Sequence, residues 1–186
     1  VPSKPVFVLS TPRGYFQSLQ YSRAGLWASN RYHVYLIQDN KVVRRWDFEN
    51  EGRFIFDLFV DSNENVWFSQ DGSREAKCIT KDFQIKRFAV PVGPGNGVNV
   101  IRESKEGILA GSAGTGNYLF IKAHTDSIFR NISLPIPFQV KSDLSISDIT
   151  VNDGVVWLAS SEGLLRYDYK TIEKVVLGNF NPDFAV

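Results

Sequence analysis

Residues 146–177 read ISDITVNDGVVWLASSEGLLRYDYKTIEKVVL, and this stretch decides the fold. Its apolar runs, at 146–151, 155–160, 164–167 and 172–177, are separated by short polar turns rich in Asp, Asn and Gly. Turns of the Asp-Gly type accept positive φ at low cost, and the β-branched and aromatic residues between them favour extended strands. The stretch therefore predicts four short antiparallel strands joined by hairpins.

The same pattern occurs in three further copies, which align on Trp27, Trp67, Leu109 and Trp157. These positions are 40, 42 and 48 residues apart. A period of this length is typical of a four-stranded propeller blade and not of a helical hairpin or a leucine-rich repeat. We therefore predict an all-β chain, a β-propeller with about four four-stranded antiparallel blades. The predicted blades cover residues 14–49, 54–90, 97–134 and 145–178.

The four aligned residues are expected to form the structural core of the blades. A blade is covered on both faces by its neighbours, so its second strand needs bulky apolar side chains, and Trp buries a large area there. We interpret Trp27, Trp67, Leu109 and Trp157 as core residues and not as ligand platforms. Trp46 lies in the outermost run of its copy, where more exposure is expected.

Residues 1–186 are predicted to be one propeller segment, an arc cut from a larger propeller of the seven-bladed type. The run KPVFVLS at 4–10 has the pattern of a strand, and the fourth copy already contains its own outer strand. We therefore assign 4–10 to the outer strand of a preceding blade, and the residues after Leu177 to a link toward a further blade. An arc would expose the faces of its end blades. We therefore expect the isolated chain to self-associate, or to owe its order to neighbouring chains, and to be less stable than the parent domain.

Composition narrows the classes of function. The chain carries 21 Lys and Arg against 20 Asp and Glu, and this balance offers no electrostatic case for nucleic acid. No window approaches the roughly 18 consecutive apolar residues of a membrane helix, so no membrane contact is expected in this segment. The single cysteine, Cys78, excludes an internal disulfide, and its run AKCIT predicts a buried strand thiol.

Few residues are suited to catalysis or to metal binding. His33 lies in the run YHVYLI and His124 in KAHTD, with no third ligand at zinc spacing near either. The glycine-rich run GSAGTGN at 111–117 lacks the Gly-Lys-Ser/Thr of a phosphate loop and predicts a hairpin. We therefore predict no catalytic residue, no metal and no cofactor.

Three stretches carry a family resemblance: DSNENVWFSQDG at 61–72, KEGILAGS at 105–112 and VNDGVVWLASSEGLLRYD at 151–168. They resemble the repeats of the two-component regulator propeller family, which form the periplasmic sensor domain of hybrid two-component histidine kinases of the Bacteroidetes type. The resemblance implies a non-catalytic periplasmic segment that takes part in sensing an oligosaccharide or another small ligand. Its partners would be the remaining blades of the parent protein, and a homodimer is compatible with this interpretation.

Two alternatives remain open. VWFSQDG together with IKRFAVPVG is similar to streptogramin lyase propellers, whose chemistry uses a His and carboxylates around a divalent metal. Neither His33 nor His124 lies in a run that resembles that site. A protein-interaction propeller of the WD or kelch type is the other alternative. Trp46-Asp47 occurs once and lacks the Gly-His partner of the WD pattern.

Blade topology predicts where a ligand would bind. In an up-and-down blade, the turn between the second and third strands lies at the same end as the link to the next blade. These segments contain Arg, Asn, Tyr and acidic residues, whose hydrogen-bonding and stacking groups suit a sugar. The candidate ligand-binding residues are Arg31, Tyr32, Arg53, Arg74, Glu75, Asn96, Asn117 and Lys141.

Overall fold

The computed structural model describes residues 15–93, 97–112, 118–137 and 144–176. These residues form sixteen strands and one short 3-10 helix, Glu49–Glu51. The first blade contains β1 (Ser18–Ser22), β2 (Gly25–Ser29), β3 (His33–Gln38) and β4 (Lys41–Asp47). The second contains β5 (Ile55–Val60), β6 (Val66–Gln70), β7 (Glu75–Ile79) and β8 (Ile85–Ala89). The third contains β9 (Val98–Ser104), β10 (Gly107–Ser112), β11 (Leu119–Ala123) and β12 (Arg130–Ile132). The fourth contains β13 (Ile146–Asn152), β14 (Val155–Ser160), β15 (Gly163–Tyr167) and β16 (Ile172–Lys174).

Each blade is one antiparallel sheet whose strands follow chain order, which confirms the predicted all-β architecture. Hairpin chemistry explains this order. Asp153 and Gly154 have φ values of 49° and 76°, and they connect the paired residues Asn152 and Val155. Two successive residues with positive φ are the mark of the type I′ turn, whose twist matches that of the strands it joins.

The blades stack through their faces, and three clusters of buried side chains fill the three spaces between consecutive sheets. Side chains that alternate along the second strand of a blade serve different clusters. In β6, Val66 and Phe68 pack toward the first blade, and Trp67 packs toward the third. In β10, Ile108 packs toward the second blade and Leu109 toward the fourth.

This alternation corrects the prediction for Trp157. Trp27, Trp67 and Leu109 are buried core residues, whereas Trp157 is only half-buried. Its neighbours Val156 and Leu158 pack against the third blade, so Trp157 lies on the opposite face of its sheet. The described residues supply no further blade on that face. Trp157 therefore occupies the position of a core residue on a face that the described residues leave partly uncovered.

Trp46, and Gly111 at the start of the glycine-rich run, both pack beside these clusters. Trp46 is half-buried on β4 and stacks on Trp27, with ring centroids 5.3 Å apart. Gly111 is required where the third and fourth blades meet, because a Cβ there would lie 2.7 Å from the Ile146 side chain.

Some predicted segments cannot be compared with the structure. The strand expected at 4–10 and the link expected after Leu177 lie outside the described residues, as does most of the glycine-rich run. Across the described ranges, no helix has the length and apolar character that a bilayer crossing requires.

Candidate ligand-binding groove

A groove of about 480 Å³ runs across the innermost strands of the second, third and fourth blades. Its lining residues come from β5, β9 and β13, close to where each strand begins. The inter-blade links lead into these strand starts. The groove therefore lies on the face of the propeller that carries these links, which is the face predicted to bind a ligand. The lining residues are Phe56, Asp57, Asn99, Val100, Arg102, Ser147 and Asp148.

Arg102 joins the three inner strands that line the groove. Its guanidinium Nη1 lies 2.6 Å from Asp57 Oδ2, and its Nη2 lies 2.8 Å from Asp148 Oδ1. The Arg102 side chain is 25% exposed, and the Asp57 side chain is 16% exposed. Partial exclusion of water strengthens such charge-assisted hydrogen bonds. These contacts hold the one guanidinium and the two carboxylates in fixed orientations. With two negative groups and one positive group, the groove has a net negative charge.

Backbone contacts hold the polar groups of the groove in place. Asp57 Oδ2 also accepts a 3.0 Å hydrogen bond from the Ile101 N–H. Asn99 Nδ2 donates a 3.2 Å hydrogen bond to the Ile146 carbonyl. Phe56 lines the same groove and is 49% exposed. A partly exposed ring beside ordered amide, guanidinium, hydroxyl and carboxylate groups suits a ligand with an apolar face and a polar edge.

Two of the predicted ligand-binding residues form an aromatic cluster in the first blade. The Arg31 guanidinium lies 3.5 Å from the centre of the Phe54 ring, a cation–π contact. Tyr32 meets the same ring edge-on, with centroids 5.5 Å apart. The structure therefore brings Arg31 and Tyr32 together, and both pack on the link into the second blade.

The next three predicted residues bind within the protein at separate places. Arg53 Nη1 donates a 2.8 Å hydrogen bond to the Asp71 carbonyl, and Arg74 Nη2 donates one of the same length to the Val92 carbonyl. Glu75 forms a 3.4 Å ion pair with Arg87. Arg53 also lines a smaller groove of about 340 Å³ with Glu51, Gly52, Phe54, Asp71 and Gly72.

The remaining candidates, Asn96, Asn117 and Lys141, lie outside the described residues. None of the five candidates that are described lines the larger groove. Its polar residues were missed because they lie within strands and not in loops. One signal was present in the sequence: Asp57 and Asp148 stand at the same repeat position, each opposite the residue two places after the aligned Trp.

A buried lysine lies near the smaller groove. Lys77, on β7, is 2% exposed and contacts the Glu51 carboxylate and the Gln70 amide oxygen. Burial lowers the pKa of Lys77, although its contact with Glu51 opposes this. Burial also works against ionisation of Glu51, but hydrogen bonds from Arg87 and Lys77 outweigh it and lower the pKa of Glu51. This network connects Glu51, on the link between the first two blades, to β7.

Neither histidine lies at the larger groove. His33 is the first residue of β3 in the first blade, and His124 follows β11 in the third. Sequence spacing indicated no third metal ligand near His33. The fold nevertheless places Asp47 and Glu49 beside it, because β3 and β4 pair with His33 opposite Asp47.

Solved structures of known proteins share this arrangement of blades. Virginiamycin B lyase from Staphylococcus aureus superposes with a TM-score of 0.74 and 17% identity, over 91% of this chain and 58% of the lyase. The chain is an arc of a β-propeller. A catalytically inactive histidine-to-alanine variant of the same lyase, with quinupristin, matches with a TM-score of 0.70 and 21% identity, over 88% of this chain and 56% of the variant.

The extracellular domain of the hybrid two component system BT4673 from B. thetaiotaomicron has the same fold. It superposes with a TM-score of 0.66 and 17% identity, over 89% of this chain and 24% of that domain. This propeller arc thus spans somewhat more than half of the lyase and about a quarter of the sensor domain. No family model and no curated protein matches its sequence.

Proposed function

We propose that this propeller arc is a non-catalytic, ligand-sensing part of the extracytoplasmic domain of a hybrid two-component signalling protein. The proposed ligand is an oligosaccharide, and the proposed partners are the remaining blades of the parent propeller. The observation that carries the proposal is the groove around Arg102, where Phe56 lies beside ordered polar groups from three blades. The fold shared with an extracellular sensor domain supports the assignment to a periplasmic input domain.

The chemistry of the groove supports binding of a sugar. Sugar rings have a face of C–H groups and an edge of hydroxyls, so an aromatic ring and bidentate polar groups recognise both at once. Asp148, whose side chain is 62% exposed, pairs with Arg102 in the groove, and its carboxylate keeps lone pairs that can accept hydrogen bonds from sugar hydroxyls. The charged side chains of this groove, Asp57, Arg102 and Asp148, are paired with one another, which favours binding of a neutral ligand.

Isothermal titration calorimetry with a panel of oligosaccharides tests this proposal. We expect at least one glycan to bind with a saturable heat, and we expect Phe56→Ala to weaken it by about tenfold, or about 1.4 kcal/mol. The matched control is Val43→Ala, which removes a similarly exposed apolar side chain from β4, outside the groove. Equal affinity of the two variants, absence of binding by any glycan, or turnover of a bound glycan would overturn the proposal.

A second candidate is the chemistry of the streptogramin lyases. The observation that favours it is the superposition with virginiamycin B lyase, whose TM-score of 0.74 is higher than that with the sensor domain. Incubation with quinupristin, followed by chromatography and mass spectrometry, separates the two candidates. Consumption of quinupristin that depends on His33 or His124 would support the lyase, and an unchanged substrate would leave the sensor as the better assignment.

A further inference from the structure

The side chain of Asn30 identifies the ring nitrogen of His33 that donates a hydrogen bond. Asn30 is 3% exposed, and its Oδ1 accepts hydrogen bonds from the backbone N–H groups of Tyr32 and His33 at 3.1 and 2.9 Å. Its Nδ2 donates to the Tyr35 hydroxyl at 3.2 Å. These contacts identify which end of the Asn30 amide is the oxygen. Since His33 Nδ1 lies 3.1 Å from this acceptor, Nδ1 must carry a hydrogen.

The other nitrogen of the ring then faces an acceptor. In a neutral imidazole with hydrogen on Nδ1, Nε2 has a free lone pair. His33 Nε2 lies 3.3 Å from Asp47 Oδ2. The second oxygen, Asp47 Oδ1, is oriented by a 2.8 Å hydrogen bond from the Glu49 N–H. A lone pair and a carboxylate oxygen at this distance attract each other only through a hydrogen or a cation between them.

A third ligand is close to this pair. One ligand atom from each of His33, Asp47 and Glu49 lies within 4.8 Å of the other two. In a tetrahedral zinc site with bonds of about 2.0–2.2 Å, ligand atoms are about 3.3–3.6 Å apart. The His33–Asp47 pair already has this separation. The Glu49 ligand atom, within 4.8 Å of the other two, exceeds it by at most about 1.5 Å.

We propose that His33 Nε2, Asp47 and Glu49 form a binding site for a divalent transition cation of the Zn²⁺ class. The hydrogen bond from Nδ1 to Asn30 is the partner that commonly orients a metal-binding imidazole and directs its Nε2 lone pair at the ion. An imidazole ligand favours Zn²⁺ over Ca²⁺ or Mg²⁺, which take oxygen ligands. Solvent would complete the coordination, because the site lies at the surface of the first blade.

One cation of the protein competes for the same carboxylate. Arg45 Nη2 lies 3.8 Å from Asp47 Oδ2, and the Arg45 side chain is 58% exposed. An ion pair this long and this exposed contributes little and is easily displaced. Tyr35, whose ring lies 5.7 Å from that of His33, contacts Asn30 and leaves the Nε2 side open to the carboxylates.

Calorimetric titration of the metal-free chain with ZnCl₂ tests the proposed site. We expect binding of one Zn²⁺ and a rise in Tm with Zn²⁺, because a ligand that binds the folded state stabilises it. We expect His33→Asn and Glu49→Gln to weaken binding by about tenfold or more, as loss of a ligand or of its orientation does. MgCl₂ serves as the control ion, for which no comparable heat is expected.

The matched control variant is His124→Asn, which removes the other histidine of the chain and should leave the affinity for Zn²⁺ unchanged. Glu49→Gln keeps the test decisive if His33→Asn does not fold, since the Glu49 side chain is exposed. Absence of saturable Zn²⁺ binding would overturn the proposal. An affinity that Glu49→Gln leaves intact, or that His124→Asn lowers as much as His33→Asn does, would overturn it as well.

Discussion

The indole N–H of Trp67 donates a 2.8 Å hydrogen bond to Asp61 Oδ2, which ties the core tryptophan of the second blade to the turn that precedes its strand. The same carboxylate accepts hydrogen bonds from the backbone N–H groups of Asn63 and Asn65 at 2.9 and 2.8 Å. Asp61 is 6% exposed and Trp67 is 4% exposed, so the indole N–H has little access to water. One carboxylate thus shapes the turn and satisfies the one polar atom of a buried ring.

Replacement of Asp61 by alanine should strongly destabilise the fold. It leaves a buried indole N–H and two turn N–H groups without their acceptor, and we expect a loss of about 2–3 kcal/mol in the free energy of unfolding. Urea unfolding followed by tryptophan fluorescence measures this loss. Asp82→Ala, in an exposed turn of the same blade, is the control and should change stability by less than about 0.5 kcal/mol. Equal effects of the two variants would contradict this explanation.

Stability should fall in acid partly because of Glu51. Its folded-state pKa lies below the reference value of 4.5, because hydrogen bonds from Arg87 and Lys77 outweigh the effect of burial. The unfolded chain therefore binds the proton first as pH falls, and the contribution of Glu51, present above pH 4.5, is lost as pH falls through its folded pKa. Urea midpoints between pH 7 and pH 3 should decline less in Glu51→Gln than in the natural sequence.

Part of the acid loss should persist in Glu51→Gln. Backbone hydrogen bonds to Asp47 and Asp168 lower the pKa values of these two carboxyls, with the same consequence in acid. If the urea midpoint declines equally in Glu51→Gln and in the natural sequence, Glu51 does not contribute to the loss of stability in acid.

Cys78 should resist alkylation in the folded protein. It is 3% exposed on β7, and burial raises the pKa of its thiol to about 12. Since the thiolate is the reactive form, iodoacetamide at pH 8 should modify the chain slowly before unfolding and rapidly in urea. Intact-mass spectrometry over time distinguishes the two states. Rapid labelling of the native chain would mean that the second and third blades separate readily.

Of the three aligned tryptophans, Trp27, Trp67 and Trp157, we expect Trp157 to be the most accessible to solvent. Trp27 and Trp67 are 2% and 4% exposed, whereas Trp157 is half-buried on the open face of the fourth blade. We expect acrylamide to quench a distinct fraction of the fluorescence, and Trp157→Phe to remove part of that fraction, the rest of which belongs to the half-buried Trp46. Trp27→Phe is the matched control, which should leave the quenchable fraction in place. If both variants behave alike, another chain or segment covers Trp157.

The exposed face of the first blade should promote association of the chain with itself. Leu19 and Tyr21 are 58% and 79% exposed on β1, and their cross-strand pairs place them on the face opposite Trp27. Patches of this kind bind partners because their burial removes apolar surface from water. Light scattering over a dilution series should show species larger than a monomer, and Leu19→Lys should shift them toward the monomer. A clean monomer at all concentrations would contradict this prediction, and Val43→Lys on β4 is the control.

Local sequence patterns were sufficient to predict the blades. Turn residues such as Asp153 and Gly154 accept positive φ, and alternating apolar residues identify the strands between the turns, so the repeat could be read without tertiary information. The same reasoning could not tell which face of each blade is covered. The burial of a side chain such as Trp157 depends on a neighbouring blade and not on its own strand.

The groove could not be predicted, for a related reason. Asp57, Arg102 and Asp148 lie within strands, where polar residues first suggest a solvent-facing side. Their convergence depends on the stacking of three blades, which brings residues 45 and 46 positions apart within hydrogen-bonding distance. The neighbourhood of His33 was missed because Asp47 lies opposite it across a strand pair whose register was unknown. Loop residues such as Arg53 were favoured because loops commonly carry function, whereas here their side chains bind the backbone.

The alternation along the second strands also sets the symmetry of an assembly in which the outer face of the first blade contacts the outer face of the fourth. The face that carries Trp157 and the face that carries Leu19 belong to different ends of the arc, and neither has the pattern of the other. Surfaces that differ in this way join head to tail, in a heterologous contact. Such a contact closes into a ring when the rotation between units divides the circle evenly, and otherwise continues as an open helical filament.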